Sequence, residues 1–299
     1  LADQKYAEAA KWFAKAPKTQ LDETAYYQYI VAEFYSGNAK NALEVARHGL
    51  QKYAGSEYLS RLAVMAAVDQ NQFPEALTYS ENVMRGKEQK NYNDYYYYGQ
   101  ALAGNDKFQE AINAYNKCLE LKPGEVDPLS KLSAAYAGLG DGDKALDFQR
   151  QYLEKGTNIT STDWANFAGI YIKMGDQVDS LDHAKAVGYY TQAMDVYEKM
   201  TEKFPTLKDW CWVAEASVAL GKLKDLDKVR DLYMKVAEYE EAKADKSDAN
   251  TKNYLVAAYY FLGYYYAGKN DAETSKSYFE KLIQIDPENA EAKKALGLE

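Results

Sequence analysis

Asp94 to Ala111 reads DYYYYGQALAGNDKFQEA, and the spacing inside this stretch decides the fold. Gly99 is followed twelve residues later by Ala111, with an aromatic four before the glycine (Tyr95) and another three before the alanine (Phe108). Two helices pack closely only where a small side chain admits the ridge of its partner. Gly99 and Ala111 are therefore expected to be the contact points of a helix pair, with large residues filling the space around them. Beyond Ala111 the pattern continues through Tyr115, Cys118, Leu119 and Pro123.

The small residue that Ala111 represents recurs along the chain as Ala9, Ala42, Ala76, Ala111 and Ala145, at intervals of 33, 34, 35 and 34 residues. Farther on come Trp164, Phe167, Ala168 and Tyr171 followed by Ala186, Tyr190 and Ala193, then Trp210, Val213 and Ala214 followed by Val229, Tyr233 and Val236. A final set is Tyr259, Leu262, Gly263, Tyr266, Ser275, Phe279, Leu282 and Pro287.

This comb resembles the tetratricopeptide repeat, a 34-residue helix–turn–helix unit with a large residue at slot 4, Leu at 7, small residues at 8, 20 and 27, aromatics at 11, 17 and 24, and Pro at 32. Tyr95, Tyr98, Gly99, Leu102, Phe108, Ala111, Tyr115, Cys118 and Pro123 fill those slots in the quoted unit. The resemblance implies an all-α fold, an α-α superhelix of antiparallel helix pairs in which each unit buries its apolar face only by stacking on its neighbours. The chain is expected to be one such solenoid. It comprises a half repeat over 1–21, repeats over 24–56, 57–91, 92–125, 126–160, 161–205, 206–252 and 256–289, and a C-terminal capping helix over 290–299. Extra residues between Tyr171 and Ala186, and a charged stretch (YEEAKADKSDANTKN) before Tyr254, predict longer helices or loops and a less regular superhelix in the C-terminal half. The leading half repeat has no first helix before it, so Tyr6, Trp12 and Phe13 are expected to form an apolar face that could serve as a homodimer seam.

Successive helical residues turn by about 100°, so Tyr95 to Tyr98 point to four different sides. Tyr95 and Tyr98 are expected to face the second helix of their own unit, and Tyr97 the preceding unit. In the family, slots 2, 5, 9, 12 and 13 of each first helix line a concave groove. That resemblance makes Arg61, Met65, Tyr96, Gln100, Ser130, Glu215, Tyr260 and Tyr264 the candidate partner-binding residues, with Tyr96, Tyr260 and Tyr264 foremost. Tyrosine suits such a role because it offers large contact area, a polar tip and little entropy to lose. Most of the 29 tyrosines are expected instead to replace Phe and Leu in packing between helices.

Composition limits the functions open to the chain. The sequence is 47% hydrophobic and 27% charged, enough for a folded core, and its net charge of −9 lacks the basic footprint of a nucleic-acid reader. The apolar, tyrosine-rich run Tyr254 to Gly268 is 15 residues and too short for a membrane span. The sequence opens LADQKYAEAAKWF without an initiator Met or a leader-like pattern, so any export signal is expected to be either absent or already removed, and localisation stays open between cytoplasm and export. His48 and His183 lie in different units without cysteine or carboxylate at ligand spacing, which argues against a metal site, and His183 is expected in a solvated turn. GLGDG (138–142) joins two helices instead of following a strand, so it reads as an inter-helix turn and not a phosphate loop. Cys118 and Cys211 fall in non-adjacent units and are expected to be packed thiols. The family's clamp for acidic chaperone tails needs Lys, Asn and Arg at groove slots. The pairs Arg61/Met65, Tyr96/Gln100, Ser130/Ala134, Ala165/Gly169, Cys211/Glu215 and Tyr260/Tyr264 do not reproduce it.

With no visible pair of acid, base or nucleophile, the chain is expected to be a non-catalytic scaffold without cofactor that holds a peptide or helix of another protein in its groove. The alternative is an exported cell-envelope accessory protein whose groove tyrosines stack on sugar rings, since the Tyr-, Lys- and Asn-rich style resembles tetratricopeptide proteins of Bacteroidetes-type bacteria.

Overall fold

The computed structural model describes residues 2–244 and 247–298, so Asp245 and Lys246 of the charged stretch lie outside the described residues. Among the described residues every regular element is helical. The chain divides into two compact units, residues 1–156 and 157–299.

The first unit holds α1 (Ala2–Phe13), α2 (Glu23–Tyr35), α3 (Ala39–Lys52), α4 (Glu57–Asp69), α5 (Phe73–Arg85), α6 (Tyr92–Ala103), α7 (Phe108–Leu121), α8 (Asp127–Leu139) and α9 (Gly142–Lys155). Each helix packs on the next, and α2, α4, α6 and α8 also touch in sequence, forming a continuous inner layer. Small residues make these approaches possible. Ala42, Ala76, Ala111 and Ala145 are all fully buried, as is Cys118. Tyr6 packs tilted against Tyr35 and Phe13 stacks on Tyr29, at 5.4 and 5.5 Å between ring centres. Of the three residues expected to form an apolar N-terminal face, two therefore pack inward on α2, and Trp12 alone stays mostly exposed with Lys15 over its ring.

The second unit holds α10 (Ser161–Val178), α11 (His183–Lys203), α12 (Lys208–Val218), α13 (Leu226–Glu241), α14 (Ala249–Gly268), α15 (Ala272–Ile285) and the short α16 (Ala290–Ala295). Again each helix packs on its successor, but α10, α12 and α14 do not form a comparable layer. Between Tyr171 and Ala186 the extra residues are absorbed into helix and not into a loop. α10 runs to 18 residues and α11 to 21, against 12 to 14 in the first unit. One consequence is a shift in the packing register. A side chain at Gly175 would lie 2.4 Å from the Tyr190 ring, so Gly175, seven residues beyond Ala168, is where α10 admits α11. The first residue of α11 is His183, whose Nδ1 lies 2.6 Å from Asp179 Oδ1; it is helical and not in a turn. α14 likewise starts at Ala249, well before the expected repeat.

One turn recurs between paired helices. Gly37, Asn71, Asp106, Gly140 and Asn270 each adopt positive φ, and the next residue's N–H reaches back to the carbonyl five residues earlier: Asn38 to Glu33, Gln72 to Ala67, Lys107 to Leu102, Asp141 to Tyr136 and Asp271 to Tyr266. This is the Schellman closure. Asn38, Asp141 and Asp271 then cap the following helix with their side chains. After α12 the same turn, with Lys224 at positive φ, spans one residue more, Asp225 N–H to Ala219 O, because Ala219–Leu223 forms a π turn. GLGDG is one of these turns.

Candidate functional site

In the first unit the inner layer is not closed. A cavity of about 400 Å³ opens between α2, α4 and α6 and reaches down to α5. Its rim is aromatic: Tyr27 and Tyr35 from α2 and Tyr58 from α4 are between 42% and 54% exposed, although each could have been buried. Tyr97 of α6 completes the ring; burial, with Tyr35 and Asp69 nearby, pushes its hydroxyl pKa up. The walls are apolar, from Val31, Leu62, Val64 and Met65, and the floor is set by Ser80 and Val83, the two most buried residues of α5 at the cavity. Tyr27 and Tyr58 continue into a shallower depression with Glu23 and Thr24, extending the aromatic track along the inner surface.

In three other repeats slot 24 carries a ring that covers a glycine of the paired helix, Tyr115 on Gly99, Tyr190 on Gly175 and Phe279 on Gly263, whereas Ala46 and Gln149 hold that slot elsewhere. Here that slot is serine and Val64 stands where the Tyr115 repeat has Gly99, so the large and small residues have changed places across the helix pair. Ser80 is 2% exposed, and its hydroxyl, sealed from solvent, finds no hydrogen-bond partner within the protein. Most buried polar groups are paired, which makes this orphan notable.

The only charges in the cavity neutralise each other. Arg61 Nε lies 2.8 Å from Asp94 Oδ1, and its Nη2 3.2 Å from Oδ2. Burial works against the Arg61 charge, but the Asp94 hydrogen bonds and charge hold the guanidinium above its usual range. Asp94 also accepts from the Asn91 N–H at 3.0 Å, while its own N–H goes to the Asn91 side chain, a reciprocal cap that fixes the start of α6. The exposed Asn91 and Asn93 leave amide groups at the mouth.

The eight sequence candidates separate. Arg61 and Met65 line the cavity. Tyr96 does not. Its ring is half-buried, stacked on Tyr92 at 5.7 Å and edge-on to Tyr115 at 6.3 Å, because slot 5 of α6 turns toward α7 and α8. Gln100 is half-buried outside the cavity, and the Ser130 hydroxyl donates back to the Asp127 carbonyl at 3.0 Å. Glu215 is 3% exposed and paired with Lys228 at 2.8 Å, so it packs between α12 and α13 instead of facing a groove; burial still pushes its carboxyl pKa up against the lysine's pull. Tyr260 and Tyr264 are exposed on α14, 4.9 Å apart between ring centres. The Tyr264 hydroxyl donates to Glu291 of α16 at 2.7 Å, which with burial raises its pKa to about 12. Tyr95 and Tyr98 face α7, beside Glu110, Asn113 and Lys117.

The cavity residues that the sequence reading passed over had a signal. Tyr27, Val31 and Tyr35 occupy slots 5, 9 and 13 of the repeat that begins at α2, and Tyr58 and Asn93 occupy slot 2 of the next two. They stand at groove slots to which the rule was not applied. Tyr97 and Ser80 stand outside those slots. Among the described residues no group of three His, Cys, Asp or Glu side chains is placed to hold a metal ion, and no helix is long and apolar enough to cross a membrane.

Profiles of the tetratricopeptide repeat match residues 92–125 and 256–289. No curated protein matches the sequence. Among solved structures, the C-terminal part of a TPR repeat-containing protein from Cytophaga hutchinsonii is similar with a TM-score of 0.63 at 19% identity, over 90% of this chain and 99% of that one. A tetratricopeptide repeat protein from Parabacteroides merdae is similar with a TM-score of 0.52 at 15% identity, over 92% and 98% of the two chains. At these identities the likeness is one of fold, and both neighbours come from the bacterial group that the sequence resembles in style.

Proposed function

We propose, on the premise that this chain is a tetratricopeptide-repeat protein, that it is a non-catalytic scaffold holding an extended segment or helix of a partner protein in the groove of its first unit. The observation that carries this reading is the cavity between α2, α4 and α6, where three tyrosines remain exposed around apolar walls. Large rigid side chains around a desolvated pocket are what protein interfaces use as anchors. In the second unit Tyr260 and Tyr264 are also exposed, with the Tyr264 hydroxyl already engaged by Glu291.

Selection of a random-peptide display library on the whole protein tests the reading. Selected peptides should lose at least tenfold in affinity for Met65→Glu and Tyr58→Ser, both at half-buried or exposed positions that leave the fold intact, and should bind Tyr260→Ser as they bind the wild type. Peptides that bind all variants equally would move the site away from this groove.

A further inference from the structure

Resting on the groove reading above, we infer that Glu57, which does not itself line the cavity, is a positioning residue for it: its carboxylate latches the loop between α5 and α6, residues 86–91, in the shape that walls the groove and presents Asn91 to the partner segment.

The latch closes on one carboxylate. Glu57 is the first residue of α4, and its Oε1 accepts the Lys87 N–H at 2.6 Å and the Glu88 N–H at 3.4 Å. Its Oε2 pairs with Lys90 Nζ at 3.0 Å, and the same ammonium donates to the carbonyls of Gly86, at 3.0 Å, and Glu88. Only 14% of the Glu57 side chain and 12% of the Lys90 side chain are exposed, so solvent screens this pair less than an ordinary surface ion pair. Arg61, which does line the cavity, adds a second tie. Its Nη2 reaches the Gln89 carbonyl at 3.3 Å while gripping Asp94.

Gly86 carries an independent mark of the latch. Its φ of −65° is open to any residue. Yet a side chain there would lie 1.9 Å from the Glu57 carboxyl carbon and 2.1 and 2.3 Å from its two oxygens. Glycine is needed here to make room for the carboxylate, and not for its backbone freedom.

The loop matters because of what it joins. It leaves α5 just past Val83 on the cavity floor and arrives at Asn91, which lines the cavity and caps α6. Between them Lys87, Glu88 and Gln89 are exposed, so apolar burial does not hold the stretch in place. A loop that samples other shapes is ready for a partner only part of the time, and every ligand is weakened by that fraction whatever its sequence. A latch closed before binding removes that cost.

The test uses the full chain and peptides selected by display on the wild type, titrated by calorimetry against Gly86→Ala, Glu57→Ala, the double variant, Glu57→Gln and Met65→Glu. Amide exchange of Lys87 and Glu88, followed without peptide, reads the latch itself, and circular dichroism checks helix content. Gly86→Ala and Glu57→Ala should each release both amides and weaken all groove peptides by one common factor of about 3- to 10-fold, the cost of ordering a freed loop. The double variant should lose no more than either single change, because the added methyl group then meets only the space that the carboxylate has left. Glu57→Gln, whose carbonyl oxygen keeps the two N–H bonds and gives up Lys90, should fall between the wild type and Glu57→Ala. Unchanged affinity with both amides released, losses that differ from peptide to peptide, or losses that add in the double variant would overturn the inference and leave the groove reading standing. Peptides indifferent to Met65→Glu would remove the groove reading, and this inference with it.

Discussion

Gly99 and Tyr115 face each other so closely that a methyl group on Gly99 would lie 2.5 Å from the tyrosine ring. The ring is 1% exposed and has nowhere to retreat. Gly99→Ala should therefore destabilise the first unit by about 1 to 3 kcal/mol, although alanine is the better helix former. Gly169 is the control: it lies within α10 with no atom within 4 Å of a built side chain. Gly169→Ala should stabilise by about 0.5 to 1 kcal/mol. Denaturation midpoints of the two variants, moving in opposite directions, check the packing rule.

The Arg61–Asp94 pair joins α4 to α6 across successive repeats, and Asp94 is nearly inaccessible. Removing Asp94 strands a guanidinium beside an apolar cavity and removes the cap of α6. Asp94→Ala should cost about 3 kcal/mol. The double variant with Arg61→Met should cost less than the sum of the two single changes, and a double-mutant cycle measures that coupling.

Acid should loosen the first unit in part through Glu75. The Arg47 guanidinium, bonded to it at 2.8 and 2.6 Å, holds its carboxyl below the ordinary value of 4.5; burial opposes this and the Tyr79 hydroxyl assists it. A carboxylate whose pKa is lowered in the folded state binds fewer protons there than in the unfolded chain. Its stabilisation is then complete above about pH 4.5 and is lost as pH falls through the folded value. Glu75→Gln should start from lower stability at pH 7 and show a shallower decline below pH 4.5 in urea titrations.

Both thiols are sealed. Burial pushes Cys118 up to about 12 and Cys211 up to about 11, so neither is thiolate at neutral pH. Native protein should react with a disulfide reagent at pH 8 far more slowly than a free thiol, and two equivalents should titrate at once in denaturant. Rapid labelling of either in the native state would show that its repeat opens.

Helix pairing was legible because it depends on local rules: a small residue at fixed spacing, a turn residue that tolerates positive φ, and a capping side chain after it. Ala42, Ala76, Ala111 and Ala145 could be placed against their partners from spacing alone. The insertion in the second unit was visible as extra residues, but not its form. Whether such residues loop out or extend a helix depends on what the added turns can bury, and α10 and α11 bury Tyr171, Met174 and Met200 along their length.

The binding surface was less legible for a related reason. Which side of a helix faces a groove follows from the slot. What remains accessible there depends on neighbours from other repeats. Glu215 occupies a groove slot, yet Lys228 of the next helix draws it inward. Tyr96 occupies another, yet Tyr92 and Tyr115 enclose it.

The sequence by itself determined the repeating helix pair, because each small–large contact is set within one 34-residue unit by side-chain volume. Only the tertiary structure decided where the inner layer stays open. That depends on volumes contributed by α2, α4, α5 and α6 together, which no single repeat sets.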